Sequence, residues 1–123
     1  MKVDVRNSIG FLAALSISAC GLVGPTPGRV HITNASSDVI QHGTVRVGEA
    51  LLNLDGLAPN ASRDFNFGIN ADAGYIVHIE FTSGKSLNSE VGYVTHGLQA
   101  DDVVIIRQDK IDYSTQAQAR PFS

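Results

Sequence analysis

From Arg29 onward apolar and polar residues alternate, and this period of two limits the possible folds more than any other feature. Val30 and Ile32 alternate with His31 and Thr33, and Val45 and Val47 alternate with Thr44 and Arg46. Phe65, Phe67 and Ile69 are interleaved with Asp64, Asn66 and Gly68, and Tyr75, Val77, Ile79 and Phe81 with Ile76, His78, Glu80 and Thr82. Successive side chains of a strand point to opposite faces, so such runs read as strands with one face buried. Turn residues punctuate them: Asn34-Ala35-Ser36-Ser37-Asp38, Asp55-Gly56, Pro59-Asn60, Asp72-Ala73-Gly74 and Ser83-Gly84.

About seven strands are expected, near 29–34, 39–47, 50–54, 62–69, 74–82, 85–94 and 102–108. Ser83-Gly84 is the tight hairpin among their connections. No stretch after Pro25 combines a helical period with caps. Short strands with frequent turns predict an all-β fold, an antiparallel β-sandwich of immunoglobulin-like type, over residues 29–110. No Cys–Trp–Cys core marks a true immunoglobulin domain. The polar residues 111–123, with Gln116-Ala117-Gln118 and Pro121, are expected to form a flexible tail.

The start of the chain follows other rules. Lys2 and Arg6 make a positive first region, Ile9 to Ile17 is apolar, and Ser18-Ala19 supplies small residues for cleavage. Asp4 is unusual in such a region. The uncharged stretch from Ile9 to Val23 contains Gly10, Ser16, Ser18 and Gly21, and it falls short of the roughly 20 apolar residues of a membrane span. Residues 1–19 therefore read as a secretory signal. Their removal takes Lys2, Arg6 and Asp4 away, so the formal charge moves from −3 to −4. Mild acidity without a basic cluster argues against nucleic acid as a partner and gives no attraction to anionic lipid.

Cys20 is the single cysteine, and small exported domains ordinarily pair their thiols. Its setting, Ile17-Ser18-Ala19-Cys20, resembles a bacterial lipobox: an aliphatic residue, two small ones, then cysteine. The resemblance implies a diacylglycerol on the Cys20 thiol, cleavage between Ala19 and Cys20, and frequent acylation of the new amino terminus. Gly21 in place of Asp implies transport to the outer membrane, facing the periplasm. Two or three acyl chains make a stable anchor where one is marginal, at about 0.8 kcal/mol per buried methylene. Residues 20–28 read as a Gly/Pro-rich tether, and the eight residues after Cys20 reach at most about 26 to 29 Å.

The chain from Arg29-Val30-His31-Ile32-Thr33-Asn34 through Gly92-Tyr93-Val94-Thr95-His96-Gly97 to Val103-Val104-Ile105-Ile106 resembles small β-domain lipoproteins of Gram-negative bacteria. These share an I-x-N-x-S opening and a late G-Y-V-x-x-G turn. The resemblance implies fold and location and brings no catalytic residue.

The motifs carry no familiar chemistry. Gly84-Lys85-Ser86 looks like the end of a phosphate-binding loop, but Ile79 stands where that loop needs glycine and no helix follows. His31, His42, His78 and His96 lack the spacing of a zinc protease, and a blue-copper site needs a cysteine that the anchor uses. His31 and His78 both point outward from their strands and, if neighbours, would meet across a sheet. There is no Gly-x-Ser-x-Gly elbow. Asp101 and Asp102 face opposite ways and read as solvating a turn. Asn34-Ala35-Ser36 and Asn60-Ala61-Ser62 have the glycosylation pattern but read as turns. Asn70-Ala71-Asp72-Ala73-Gly74 has too few carboxylates for calcium.

Val103 to Ile106 is apolar at four consecutive positions. That is the pattern of a central strand covered on both faces. On a sheet face open to water, Ile76, Val104 and Ile106 would instead form an interaction patch. The expectation is a non-catalytic interaction or structural module without cofactor, anchored to the bilayer through Cys20 and bound to another envelope protein. The alternative is a small-ligand or metal-binding lipoprotein that uses outward histidines.

Overall fold

A computed structural model describes residues 24–116. Eight strands follow one another: β1 Thr26–Asn34, β2 Ile40–Val47, β3 Ala50–Asn53, β4 Ser62–Ile69, β5 Ala73–Phe81, β6 Ser86–Val94, β7 Ala100–Ile106 and β8 Ile111–Thr115. They make two four-stranded sheets, ordered β4-β1-β7-β8 and β3-β2-β5-β6. Every pairing is antiparallel except that of β1 with β7. The expected all-β sandwich forms, sharing the two-sheet architecture of immunoglobulin-like domains with a strand order of its own.

Each sheet contributes alternate residues to the core. Val30, Ile32, Ile69, Val104 and Ile106 come from the first sheet, and Val45, Val47, Tyr75, Val77, Ile79 and Phe81 from the second. All are buried, and Leu54 and Leu57 from the β3–β4 connection close one end. Phe65, Phe67 and Ile69 share the inner face as the alternation requires, but only Ile69 is fully buried. The phenylalanines are half-buried because β4 lies at the margin of its sheet.

The domain is longer at both ends than the sequence led one to expect. Thr26, Pro27 and Gly28, expected in the tether, pair with Ile69, Gly68 and Phe67 of β4. Pro27 lacks an N–H, yet fits because β7 joins β1 only from Gly28, which leaves one side of Pro27 without a neighbour. Gly28 lets the Phe67 ring lie against β1, where a Cβ would stand 2.7 Å from ring carbons. At the other end Ile111–Thr115, expected in the flexible tail, pairs with β7 and turns Ile111 and Tyr113 toward the core.

Gly92 joins the two sheets on that side. It sits at a register shift between β5 and β6 with φ of 68°. The Tyr113 ring of β8 occupies the place where its Cβ would be. Only glycine meets both conditions at low cost.

Candidate functional site

Strand direction sorts the molecule into two ends and two outer faces. β1 begins and β8 finishes at the same end, together with the β2–β3, β4–β5 and β6–β7 turns. The remaining four connections lie at the far end.

At the end where β1 begins, Asp72 ties two turns together. Its carboxylate accepts from the Tyr93 hydroxyl at 3.1 Å and from the His96 backbone N–H at 2.9 Å. Next to it, the Gly97 N–H donates to Thr26 Oγ1 at 2.9 Å. The β6–β7 loop is thereby fixed beside the first residue of β1. The bond to Asp72 holds the Tyr93 phenol above its ordinary value. Tyr93 and Leu98 remain 57% and 59% exposed.

The far end is a polar knot around Asn34, which is fully buried. Its amide donates to the carbonyls of Asp38 and Leu57, and its Oδ1 accepts from the N–H and hydroxyl of Ser36. The Gln108 side chain reaches the same loop through Ser37 and Asp38. With both amide hydrogens engaged and no exposed surface, Asn34 is no glycosylation acceptor in the folded chain. Asn60 sits in a turn with φ of 67°, a conformation asparagine tolerates. Gly84-Lys85-Ser86 lies in the β5–β6 hairpin, where the Gly84 N–H donates to the Phe81 carbonyl at 2.9 Å.

The patch that Ile76, Val104 and Ile106 would make on an open sheet face does not form. Val104 and Ile106 point into the core and are fully buried, while Ile76 lies on the outer face of the other sheet, 51% exposed. Val103 and Ile105 face outward but are half-buried between their neighbours, His31 with Ser114 and Thr33 with Asp112. What does form around Ile76 is a row across the second sheet: Leu51, Arg46, Ile76 and Glu90, each opposite the next. Leu51 is 58% exposed. The sequence reading passed over it because a short strand gives little room for alternation to show.

The histidines are separated. His31 is on the outer face of the first sheet, its Nδ1 2.6 Å from Asp64 Oδ1. His78 is on the outer face of the second, so the two cannot meet across a sheet. His42 lies 3.8 Å from Asp55. Among the described residues, no three of His, Cys, Asp and Glu are grouped to hold a metal ion.

His78 has two acceptors, Asn88 Oδ1 at Nδ1 and Glu80 Oε2 at Nε2, the latter 3.0 Å away. Acceptors at both nitrogens favour the imidazolium, and with the Glu80 charge they raise the pKa above the ordinary 6.5. An NMR titration should place His78 above that value, and Glu80→Gln should bring it down. Because the shift is upward, any stability it lends is complete below the unfolded value and is lost as pH rises through the folded one.

Sequence reasoning missed the molecule's buried ionisable pair. Asp102 and Tyr75 are 1% and 0% exposed, and the Tyr75 hydroxyl donates to Asp102 Oδ2 at 2.6 Å. The Phe67 and Tyr113 rings flank Tyr75, with centroids at 6.0 and 5.9 Å. Burial first, and the neighbouring carboxylate second, push the Tyr75 phenol far above its usual range. Closed off from water, the pair offers no substrate access and joins the sheets from within. Asp101 faces the other way, and its carboxylate pairs with Arg29 at 3.1 Å. Neither acid lies in a turn as the sequence had suggested.

With this geometry in view, comparison adds no function: no protein-family model matches the chain, and no curated protein matches its sequence.

Proposed function

We propose that this chain is a lipid-anchored envelope protein, held through Cys20 to the outer membrane and facing the periplasm, which acts as a non-catalytic interaction or structural module. Cys20 and Ala19 lie outside the described residues, so the anchor rests on the signal and lipobox pattern. The observation that carries the interaction role is the Leu51–Arg46–Ile76–Glu90 row. Two exposed aliphatic side chains there flank a guanidinium in register on an otherwise polar sheet face. Apolar anchors with a central arginine and a polar surround suit a protein partner. The alternative of a metal or small ligand held by outward histidines finds little support, since His31 and His78 face apart on opposite sides of the sandwich.

Photo-crosslinking in cells tests the interaction role. A photoreactive residue replacing Leu51 should give one discrete adduct with an envelope protein, and Ile76→Glu in the same chain should abolish it. The same residue replacing Asn66, on the outer face of the first sheet, should give none. Equal adducts from both faces, or an adduct indifferent to Ile76→Glu, would contradict the assignment.

A further inference from the structure

We infer that the sandwich is seated on the bilayer by the end at which β1 begins, with Tyr93 and Leu98 in the lipid interface. This rests on the anchor proposed at Cys20 and adds an orientation to it. Pairing begins at Thr26, so five residues separate Cys20 from the folded domain, six steps along the chain. Fully extended, those six steps span about 20 to 22 Å, less than the length of a longer strand of this sandwich. The loop bearing Leu98 is bonded to Thr26 itself through the Gly97 N–H. Its exposed side chains are therefore beside the point where the chain departs toward the acyl anchor.

The side chains suit that occupant. Tyr93 presents a ring while its hydroxyl is satisfied by Asp72, and tyrosine is characteristic of the membrane–water interface. Leu98 adds an aliphatic group at 59% exposure. Neither would hold a soluble domain to lipid alone. A short tether makes the contact intramolecular, with an effective concentration in the millimolar range. Charge narrows the class of lipid. The turns at this end carry Glu49 and Asp72 and no lysine or arginine, while Lys85 and Lys110 lie in connections at the far end. The contact is thus with the apolar interface of zwitterionic lipid, without attraction to anionic headgroups. Seated in this way, the sandwich directs the Asn34 knot away from the membrane and leaves the Leu51–Ile76 row accessible from the side.

The chain has no tryptophan, so Tyr93→Trp and Leu98→Trp each introduce a single fluorescent reporter. The mature lipidated variants would be reconstituted in phosphatidylcholine vesicles whose acyl chains carry bromine. Blue-shifted emission and at least two-fold quenching are expected at both positions, with neither in a Lys85→Trp control in the exposed β5–β6 hairpin at the far end. Added phosphatidylglycerol should not strengthen the effect. Acylated Tyr93→Trp and Leu98→Trp proteins whose emission behaves like that of the control would overturn the orientation and leave the anchor standing. Absence of acyl chains on Cys20 would overturn both.

Discussion

Tyr75→Phe should destabilise the sandwich by roughly 1–3 kcal/mol or more, although it removes a single oxygen atom. The loss exceeds the net value of one hydrogen bond because Asp102 stays behind, buried, with the Tyr113 hydroxyl beside it but without its short bond from Tyr75. Removing both polar groups together should cost much less, since an apolar pair of similar shape leaves nothing unsatisfied. Tyr75→Phe combined with Asp102→Val should therefore be more stable than Tyr75→Phe alone. Urea midpoints of wild type, single and double variants measure this directly. A Tyr75→Phe midpoint equal to that of wild type would mean that water reaches Asp102.

Phe81→Ala should cost about 3–5 kcal/mol, the range for emptying a buried aromatic site. Phe81 is 1% exposed at the end of β5 and pairs with Ile40. Phe67→Ala should cost clearly less, since its ring is half-buried against Gly28 on a marginal strand. Asn66→Ala, on the outer face, should fall within about 0.5 kcal/mol. The loss at Phe81 is a large share of the roughly 5–15 kcal/mol that holds a small domain together. An ordering with Phe67 above Phe81 would show that the core is centred nearer β4.

These two experiments also mark where sequence was informative. Inward and outward positions along a strand are a local property, so Phe65, Phe67 and Ile69 could be placed on one face from spacing alone. The depth of each is not local. Phe67 is half-buried because β4 has a neighbour on one side only, and strand order leaves no mark in the alternation. The same gap left open whether Val104 and Ile106 could join Ile76 on one face; they share their sheet with β1 and β8 while Ile76 lies in the other. Ile111 and Tyr113 carried the period-two signal of β8, but Asp112, Ser114 and Thr115 made the segment look like a polar tail. Asp102 was hidden for a related reason. A carboxylate is rarely fully buried unless it has a partner, and its partner Tyr75 comes 27 residues earlier. The glycines of Gly92-Tyr93-Val94-Thr95-His96-Gly97 were legible as turn formers, and both have positive φ. That one of them also receives the Tyr113 ring follows only from three-dimensional packing.

The anchor at Cys20 can be read from the intact mass of the mature protein taken from membranes. The mass should be that of a chain that begins at Cys20 and carries a diacylglycerol, with or without a further acyl group on the amino terminus. Cys20→Ser should yield protein without that mass, either uncleaved or released from the membrane fraction. A mature wild-type chain that begins at another residue, or begins at Cys20 with a bare thiol, would contradict the anchor.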